Sequence, residues 1–450
     1  MELLEIVKKT INTAQRMGAS QADAIAMRRH EISIHGTNDK IGGLRERRAE
    51  SEISKGLGVR IVIKKSLAYG YTTVLDENSI IDIVKRTVKI AERKKPDEDF
   101  KTLPKPKKPP IVEGIFDKKI VNPPIEETFE ILRKNLEETM EANEYFNTVR
   151  AGYTFIWGET AIANTLGIEE GYRESAVAAS IYIVGEKNGL RISGWESDAK
   201  RSLNEVSIDY CRKEAIKYAE KALTIAKING GEMTVIFQPS ALTSLMNYAF
   251  IRAIDAYNVQ EGKSYLANKL GKEVAAEKLT IIDDGLYSKG LRTSPIDDEG
   301  TPSQRTIIVE NGVLKSYIYD SYTAYKEGRE STGNASRSFR SSVTISPRNQ
   351  IVQGEETKID ELIGDVKEGL LVRGVMGAHS TNIATGAFSI VASPAYAIRK
   401  GEIIGQVKGC MIAGTFADIL KNYEAQGDDK VQKGFLIAPS IRFRKVRVTV

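Results

Sequence analysis

A proline-rich stretch around residue 100 constrains the fold of this chain more than any other feature. Seven of the thirteen prolines fall within residues 96–124. Because proline lacks a backbone N–H group and fixes its φ angle, it interrupts helices and central strands. We therefore predict an extended connector over residues 96–124, polyproline-like in parts, with the basic run at residues 105–108 in solvent.

The sequence patterns on the two sides of this connector are similar. Residues 3–17 place apolar side chains on one helical face, strands are predicted after them, and a second helix is predicted over residues 76–95. Beyond the connector, the same order is predicted again, with a helix at residues 125–143, strands at about 146–157, 159–165, 172–184 and 189–196, and a helix at residues 204–227. We therefore expect a duplicated helix–antiparallel-meander–helix unit.

The remainder of the chain has a different pattern. After a strand and a turn at Pro239, a long helix is predicted over residues 240–258, followed mostly by strands with glycine-rich turns. A chain of 450 residues also exceeds one ordinary hydrophobic core. We predict an α+β fold with two domains, an N-terminal domain over residues 1–228 and a β-rich mixed C-terminal domain over residues 229–450.

The composition indicates which classes of partner and which cellular compartment to expect. The 65 basic and 60 acidic residues are interspersed, so no nucleic-acid surface is expected. No window approaches 18 consecutive apolar residues, so no membrane partner is expected. Cys211 and Cys410 form no metal or disulfide motif, and the N-terminus lacks the pattern of a signal peptide. We therefore expect a cytoplasmic protein.

The segment HEISIH, from His30 to His35, has the HExxxH spacing that some metalloproteases use for zinc. Its alternation of apolar and polar residues predicts a strand, in which the two histidines lie on opposite faces, roughly 16 Å apart. Zinc–nitrogen bonds are about 2.0 Å long, so these imidazoles cannot share one ion. We interpret both as surface residues. The third histidine, His379, is predicted to be a loop residue, with a general base as the alternative.

Two acidic clusters are the remaining candidates for chemistry. They are residues 283–284 and the group of Asp297, Asp298 and Glu299. Adjacent carboxylates bind hard cations or act in acid–base catalysis. However, neighbouring side chains of an extended segment point in opposite directions, and a glycine that follows each cluster marks a turn. We favour turn and scaffold roles for both.

Several segments together resemble signatures of one family. They are GLGVRIVI, LTIIDDG, IDDEGTPSQR, STGNASR and YEAQGDD, and they resemble the TldD/PmbA family, long described as modulators of DNA gyrase. The resemblance implies an α+β N-terminal domain and a β-rich C-terminal domain. It also implies a zinc metalloprotease of two subunits that cleaves unfolded or small peptides, in which only the TldD-type subunit carries the HExxxH helix and a C-terminal cysteine.

The chain departs from the TldD pattern at each expected ligand. Counting back from LTIIDDG, the three motif positions fall on Asn247, Tyr248 and Arg252, and the segment after YEAQGDD has no cysteine. Arginine cannot bind zinc, and asparagine and tyrosine are poor ligands. The resemblance therefore implies a TldE/PmbA-type subunit with no catalytic residue, metal or cofactor of its own, and with zinc in its partner.

This resemblance sets the functional predictions. The partner is expected to be a TldD-type subunit in a heterodimer, with a homodimer as the alternative in its absence, and the ligand a peptide. Candidate residues of the peptide cleft are Asn247, Tyr248 and Arg252. Residues of the signature loop expected to be structural are Asp297, Asp298, Glu299 and Arg305. Two alternatives stay open, a free-standing metallopeptidase with a non-standard site and a regulatory protein acting on gyrase.

Overall fold

The structure is a computed structural model that describes residues 2–450, apart from the side chain of residue 46. Helices and strands are mixed along the chain, which confirms the predicted α+β class. None of the helices within residues 2–450 has both the length and the apolar character that crossing a bilayer requires. The predicted division into domains at residues 228 and 229 stays a prediction.

The first half of the chain repeats one order of elements. Before the connector these are α1 (Leu3–Arg16), β1 (Gln21–Asp39), β2 (Gly43–Ile63), β3 (Ser66–Thr72) and α2 (Glu77–Arg93). After it they are α3 (Lys118–Val121), α4 (Ile125–Glu141), β4 (Phe146–Asn164), β5 (Glu169–Lys187), β6 (Leu190–Lys200) and α5 (Ile208–Lys221). The helix–meander–helix order predicted on both sides of the connector is therefore present.

The two meanders form one antiparallel sheet, in the order β3-β2-β1-β4-β5-β6. Helices α1, α2, α4 and α5 pack on one face of it, where alternate residues of β1 such as Ala24, Ala26 and Ile34 are buried. The opposite face carries Ile25, which packs against Ile296 of the second half of the chain. This second face therefore joins the two halves of the molecule.

Strand β4 is longer than predicted. The strands expected at about 146–157 and 159–165 are one strand, which continues through Gly158. A Cβ atom at Gly158 would lie 2.8 Å from the backbone oxygen of Arg28 in β1. This glycine therefore allows close backbone approach within the sheet and does not mark a turn.

The connector is packed against the sheet over part of its length. Phe100, Leu103 and Ile115 are buried, and Asn164 donates a hydrogen bond of 2.8 Å to the Pro104 carbonyl oxygen. Residues 105–108 are exposed, as predicted. The prediction of extended chain over all of residues 96–124 is wrong at α3, where the Asp117 carboxylate caps a short helix by accepting from Lys119 N at 2.9 Å.

The second half of the chain is dominated by short strands. Its helices are α6 (Pro239–Met246), α7 (Arg252–Ile254), α8 (Ala256–Gln260), α9 (Ser321–Lys326), α10 (Ile359–Gly364) and α11 (Phe416–Lys421). Its first strands are β7 (Gly231–Phe237), β8 (Thr280–Asp284), β9 (Arg305–Glu310), β10 (Val313–Leu314), β11 (Ala335–Ser336), β12 (Thr344–Ile345), β13 (Asn349–Gln353), β14 (Glu368–Val372) and β15 (Val375–Met376). Its last strands are β16 (Ala387–Ala392), β17 (Ala395–Arg399), β18 (Glu402–Val407), β19 (Met411–Thr415), β20 (Tyr423–Gln426), β21 (Val431–Lys433), β22 (Leu436–Ala438) and β23 (Ile441–Thr449).

Two larger sheets organise these strands. One has the order β15-β16-β19-β23-β7-β14-β17-β18, with β20 paired to β23, and the other has the order β10-β9-β8-β13-β22-β21. Leu242, Leu245 and Phe250 lie in a core that includes residues of both sheets, such as Val235 and Val309. The α6 segment is thus held rigidly within the second half of the chain.

Candidate functional site

The helix expected to carry the peptide-cleft residues is interrupted twice. Between α6 and α7 lies one π-helical turn, Asn247–Ile251. The helix then ends at Asp255, whose side chain accepts from Tyr257 N at 2.9 Å and begins α8. The prediction of one continuous helix over residues 240–258 is therefore wrong, because the Asp255 carboxylate caps a new helix in place of continuing the old one.

The π-turn changes which residues share a face. Its hydrogen bonds join residues five apart, so Asn247 and Arg252 lie above one another, which an α-helix would not achieve. Asn247 and Tyr248 are half-buried, and Arg252 is exposed. The three predicted cleft residues thus occupy one short segment at the protein surface. π-turns are frequent at functional sites, yet this spacing has no recognisable signature in the sequence.

His379 lies beside this segment. It is an exposed residue of a 3₁₀ turn, Ala378–Ser380, and its ring meets the Tyr248 ring edge-on, with centroids 6.3 Å apart and planes at 74°. The two residues are distant in sequence, so their proximity was not predicted. The patch therefore combines an imidazole, a phenol, an amide and a guanidinium group.

These groups do not fit zinc. The patch contains one imidazole, no carboxylate and no thiolate among the residues named, and an arginine occupies the last motif position. Among the side chains that the structure describes, no group of three or more His, Cys, Asp or Glu is arranged to hold a metal ion. We therefore assign no metal chemistry to this segment.

HEISIH lies in β1, which confirms the predicted strand. His30 lies on the helix-covered face and stacks on Trp157, with ring centroids 5.0 Å apart and an interplanar angle of 12°. His35 is exposed on the other face. The two imidazoles point to opposite sides of the sheet.

The signature loop is buried and extensively hydrogen-bonded. The Asp297 carboxylate accepts from Glu299 N at 2.9 Å, Thr301 N at 2.8 Å and Ala335 N at 3.1 Å. Glu299 accepts from Ser321 N at 2.9 Å. Burial, and then the charge of Glu299, raises the pKa of Asp297. These carboxylates hold backbone segments together and do not line an open site.

The other two loop residues predicted to be structural lie nearer to solvent. Asp298 accepts from Arg337 N at 2.9 Å. Arg305 is exposed, with its Nε atom 3.8 Å from an Asp284 carboxylate oxygen. The structural role of this loop stays a prediction that substitution would test.

Glu299 also belongs to a buried ion cluster that joins the two halves of the chain. Its carboxylate lies 2.8 Å from the Arg60 guanidinium, which also pairs with Asp23. Arg337 contacts Asp23 at 2.9 Å. Asp23 and Glu299 have no exposed surface, and the two arginines are nearly as buried. The one sequence signal for this cluster was Arg60, a charged residue within the apolar run GLGVRIVI.

A cavity of about 730 Å³ lies between α5 and the second half of the chain. Within it, the Arg373 guanidinium stacks on the Tyr218 ring at 3.7 Å and lies 2.9 Å from Glu196. Lys433 lies 2.7 Å from the same carboxylate. Arg373 also lies 3.8 Å from Glu214, so the two cations face two carboxylates, and we assign no ligand to the cavity.

Comparisons with known proteins found related sequences and a similar overall fold. Three models of the PmbA/TldA metallopeptidase match the chain, domain 1 over residues 46–91, the central domain over residues 118–227 and the C-terminal domain over residues 230–450. An uncharacterized protein of Methanocaldococcus jannaschii is 29% identical over 444 residues, 97% of this chain and 98% of that protein. A metalloprotease TldD homolog of Buchnera aphidicola is 28% identical over 84% of this chain and 80% of its own length. The crystal structure of TldE from Thermococcus kodakarensis has a TM-score of 0.90 at 24% identity, over 98% of this chain and 99% of that one.

Proposed function

This chain belongs to the PmbA/TldD metallopeptidase family, and we propose that it is the TldE/PmbA-type subunit of a two-subunit peptidase. In this proposal a TldD-type companion holds the catalytic zinc, and the pair cleaves unfolded or small peptides in the cytoplasm. The present chain completes the peptide site without contributing a metal ligand.

The proposal depends on one observation, namely which side chains occupy the π-helical turn Asn247–Ile251 and the next position, Arg252. The segment brings residues five apart onto one face, as an HExxxH motif would need. Its occupants are Asn247, Tyr248 and Arg252, which do not form a zinc site. The site therefore has a helix geometry suited to the motif and side chains suited to hydrogen bonding.

The same side chains suit contact with a peptide. Tyr248 offers a ring and a hydroxyl, Asn247 donates and accepts hydrogen bonds, and Arg252 donates to carbonyl or carboxylate oxygens. The edges of the first sheet, β3 and β6, also present strands to which an extended peptide can add. We propose that this chain forms a wall of the peptide cavity and orders the substrate for its companion.

Co-purification with a TldD-type subunit from the same organism tests this proposal. We expect the two chains to elute together and to hydrolyse an unstructured peptide, whereas each chain alone does not. A companion whose motif glutamate is replaced by glutamine serves as the matched control and should inactivate the pair. Hydrolysis by the present chain alone, or full activity of the companion without it, would contradict the proposal.

A further inference from the structure

We propose that a cleft lined by Arg29, Arg201, Arg292, Arg337 and Arg348 binds a carboxylate group of a peptide. The cleft has a volume of about 470 Å³ and lies between the first sheet and the second half of the chain. The inference rests on the proposed function in one respect, because it takes the ligand to be a peptide. It does not depend on the metal or on the companion subunit.

The floor of the cleft is the face of the first sheet that lacks helices. Across β1, β4 and β5, one row of paired residues is Arg29, Gly158 and Glu174. The next row on the same face includes Ile156 and Ala176. Because Gly158 has no side chain and that of Ala176 is small, this part of the floor leaves room for a ligand chain above it.

The wall is formed by arginines of the second half of the chain, Arg292, Arg337 and Arg348. Together with Arg29 and Arg201 they face two carboxylates, those of Glu174 and Asp298. Arg28 and Glu159 also border the cleft but belong to the opposite face of the sheet by strand alternation. Three of these arginines form ion pairs, Arg29 with Glu31 at 3.2 Å, Arg201 with Glu174 at 3.0 Å and Arg337 with Asp23 at 2.9 Å. Among the described side chains Arg292 and Arg348 form none, so these two supply the unpaired positive charge of the cleft.

Arg201 fixes the position of the loop that carries Arg292. It is buried, lies 3.0 Å from Glu174, and donates to the carbonyl oxygens of residues 290, 291 and 293 at 3.1, 2.7 and 3.2 Å. The backbone N–H of Arg292 donates to Asn349 at 3.0 Å. The loop that carries Arg292 is thus fixed on both sides. Within the described residues, no hydrogen bond or ion pair of the Arg292 guanidinium is found.

The other two arginines of the wall are also incompletely satisfied. Arg337 is buried, and its Nη2 atom has no hydrogen-bond partner among the described residues. Arg348 donates to carbonyl oxygens of residues 333 and 296, at 3.0 and 3.4 Å, and pairs with no carboxylate within residues 2–450. Arg348 is half-buried, and a cationic donor in such a position without a carboxylate partner is stabilised when an anion approaches it.

The chemistry of the donors selects the ligand. Guanidinium groups bind carboxylates through paired, charge-assisted hydrogen bonds. Desolvation in the cleft, and then the neighbouring charge of Arg348, lowers the pKa of Arg292, and a bound anion would offset the repulsion between the two arginines. A volume of about 470 Å³ accommodates a few residues of peptide. Both the C-terminal carboxylate and an Asp or Glu side chain supply the required group.

Isothermal titration of the full-length chain with three N-acetylated octapeptides, otherwise built from uncharged residues, tests the inference. The first peptide has a free C-terminus, the second is its amide, and the third is the amide with one internal glutamate. We expect the first or the third to bind about tenfold more tightly than the second. A preference for the first identifies the chain terminus as the source, and a preference for the third identifies an acidic side chain.

Two charge-matched variants make the test specific. Arg292→Gln should abolish the preference, because it removes a guanidinium group that is free to bind the carboxylate. The fold should tolerate the change, because this side chain is exposed and makes no hydrogen bond within the described residues. Arg150→Gln should retain it, because Arg150 lies on the same sheet face but six residues from Ile156 along β4, roughly 20 Å away. Equal affinity for all three peptides, absence of binding, or equal effects of the two variants would overturn the inference.

The outcome is separable from the outcome for the proposed function. The titration measures binding by this chain alone, and the co-purification test measures cleavage of an unstructured peptide by this chain with the companion. Cleavage by the pair without a carboxylate preference would overturn only the cleft assignment. A carboxylate preference in a chain that joins no peptidase would overturn only the proposed function.

Discussion

Replacing Asp23 by asparagine should destabilise the whole molecule, because Asp23 joins its two halves. The carboxylate has no exposed surface and accepts from Arg60 Nε at 3.1 Å and from Arg337 Nη1 at 2.9 Å. Although burial opposes ionisation, the charges of Arg337 and Arg60 lower the pKa of Asp23. The group is therefore an anion at neutral pH. Asparagine has nearly the same shape but offers one acceptor oxygen and no charge.

The magnitude follows from what each arginine retains. Arg60 keeps Glu299 at 2.8 Å, whereas the Arg337 guanidinium loses the one carboxylate with which it forms an ion pair among the described residues and keeps a carbonyl oxygen of Asp298. Leaving one buried charge without its partner costs about 3–5 kcal/mol. Because one of the two arginines stays paired, we expect Asp23→Asn to lower the free energy of unfolding by about 3 kcal/mol.

Urea denaturation at pH 7 measures this loss. Both tryptophans, Trp157 and Trp195, lie in the first sheet, so their fluorescence reports on that sheet, and circular dichroism reports on the whole chain. The matched control is Glu98→Gln, which removes an exposed pair of 2.9 Å with Lys65 and should cost less than about 1 kcal/mol.

A second substitution tests the physical reason. Arg337→Met in the Asp23→Asn background removes the charge that was left without a partner, so part of the lost stability should return. If Asp23→Asn costs no more than Glu98→Gln, or if the double variant is as unstable as the two losses added, the reasoning is refuted.

Three further predictions concern the peptide site, pH dependence and packing. Tyr248→Ala combined with Arg252→Ala should slow peptide cleavage by the reconstituted pair about tenfold at an unchanged melting temperature; unchanged cleavage would exclude these residues from the peptide site. Asp320→Asn should flatten the dependence of unfolding free energy on pH. Burial, then the charge of Glu299, raises the pKa of Asp320 from 3.8 to about 6. Between these two values the folded state holds a proton that the unfolded state releases. The free energy of unfolding of the wild-type chain therefore falls by up to about 3 kcal/mol as the pH rises from 4 to 7. Equal pH slopes in urea titrations of the two proteins would contradict this. Gly194→Ala should lower the free energy of unfolding by about 1–3 kcal/mol, because the new Cβ would overlap a carbonyl oxygen of α5. The control Gly414→Ala faces open space and should shift the melting temperature little. Similar shifts for the two variants would be inconsistent with close packing at residue 194.

Features predicted well from the sequence depend on residues close together in the chain. The apolar stripe of α1 and the alternation in β1 are local patterns, and both elements occur where expected. The family resemblance is confirmed, because its motifs are short contiguous segments. The length of β4 was underestimated, since Gly158 is present for the close approach of the β1 backbone and does not end a strand.

Features that could not be predicted depend on residues brought together by the fold. The contact of Tyr248 with His379 joins a helix to a distant 3₁₀ turn, and the salt bridge of Asp23 with Arg337 spans most of the chain. The π-turn that aligns Asn247 with Arg252 depends on how α6 and α7 are packed, which the spacing of apolar residues does not encode. The position of Arg292 in the cleft likewise depends on a distant residue, Arg201, which holds the Arg292 loop by hydrogen bonds to its carbonyl oxygens.

The central claim, that this chain is the subunit without the metal, is tested most directly by metal analysis of the purified chain. The isolated chain and its complex with a TldD-type companion would be dialysed against zinc and then against buffer, and zinc would be counted per chain alongside peptide hydrolysis. We predict stoichiometric zinc in the complex and the companion, and neither zinc nor hydrolysis in this chain alone. Stoichiometric zinc in the isolated chain, together with peptide hydrolysis by that chain alone, would contradict the claim.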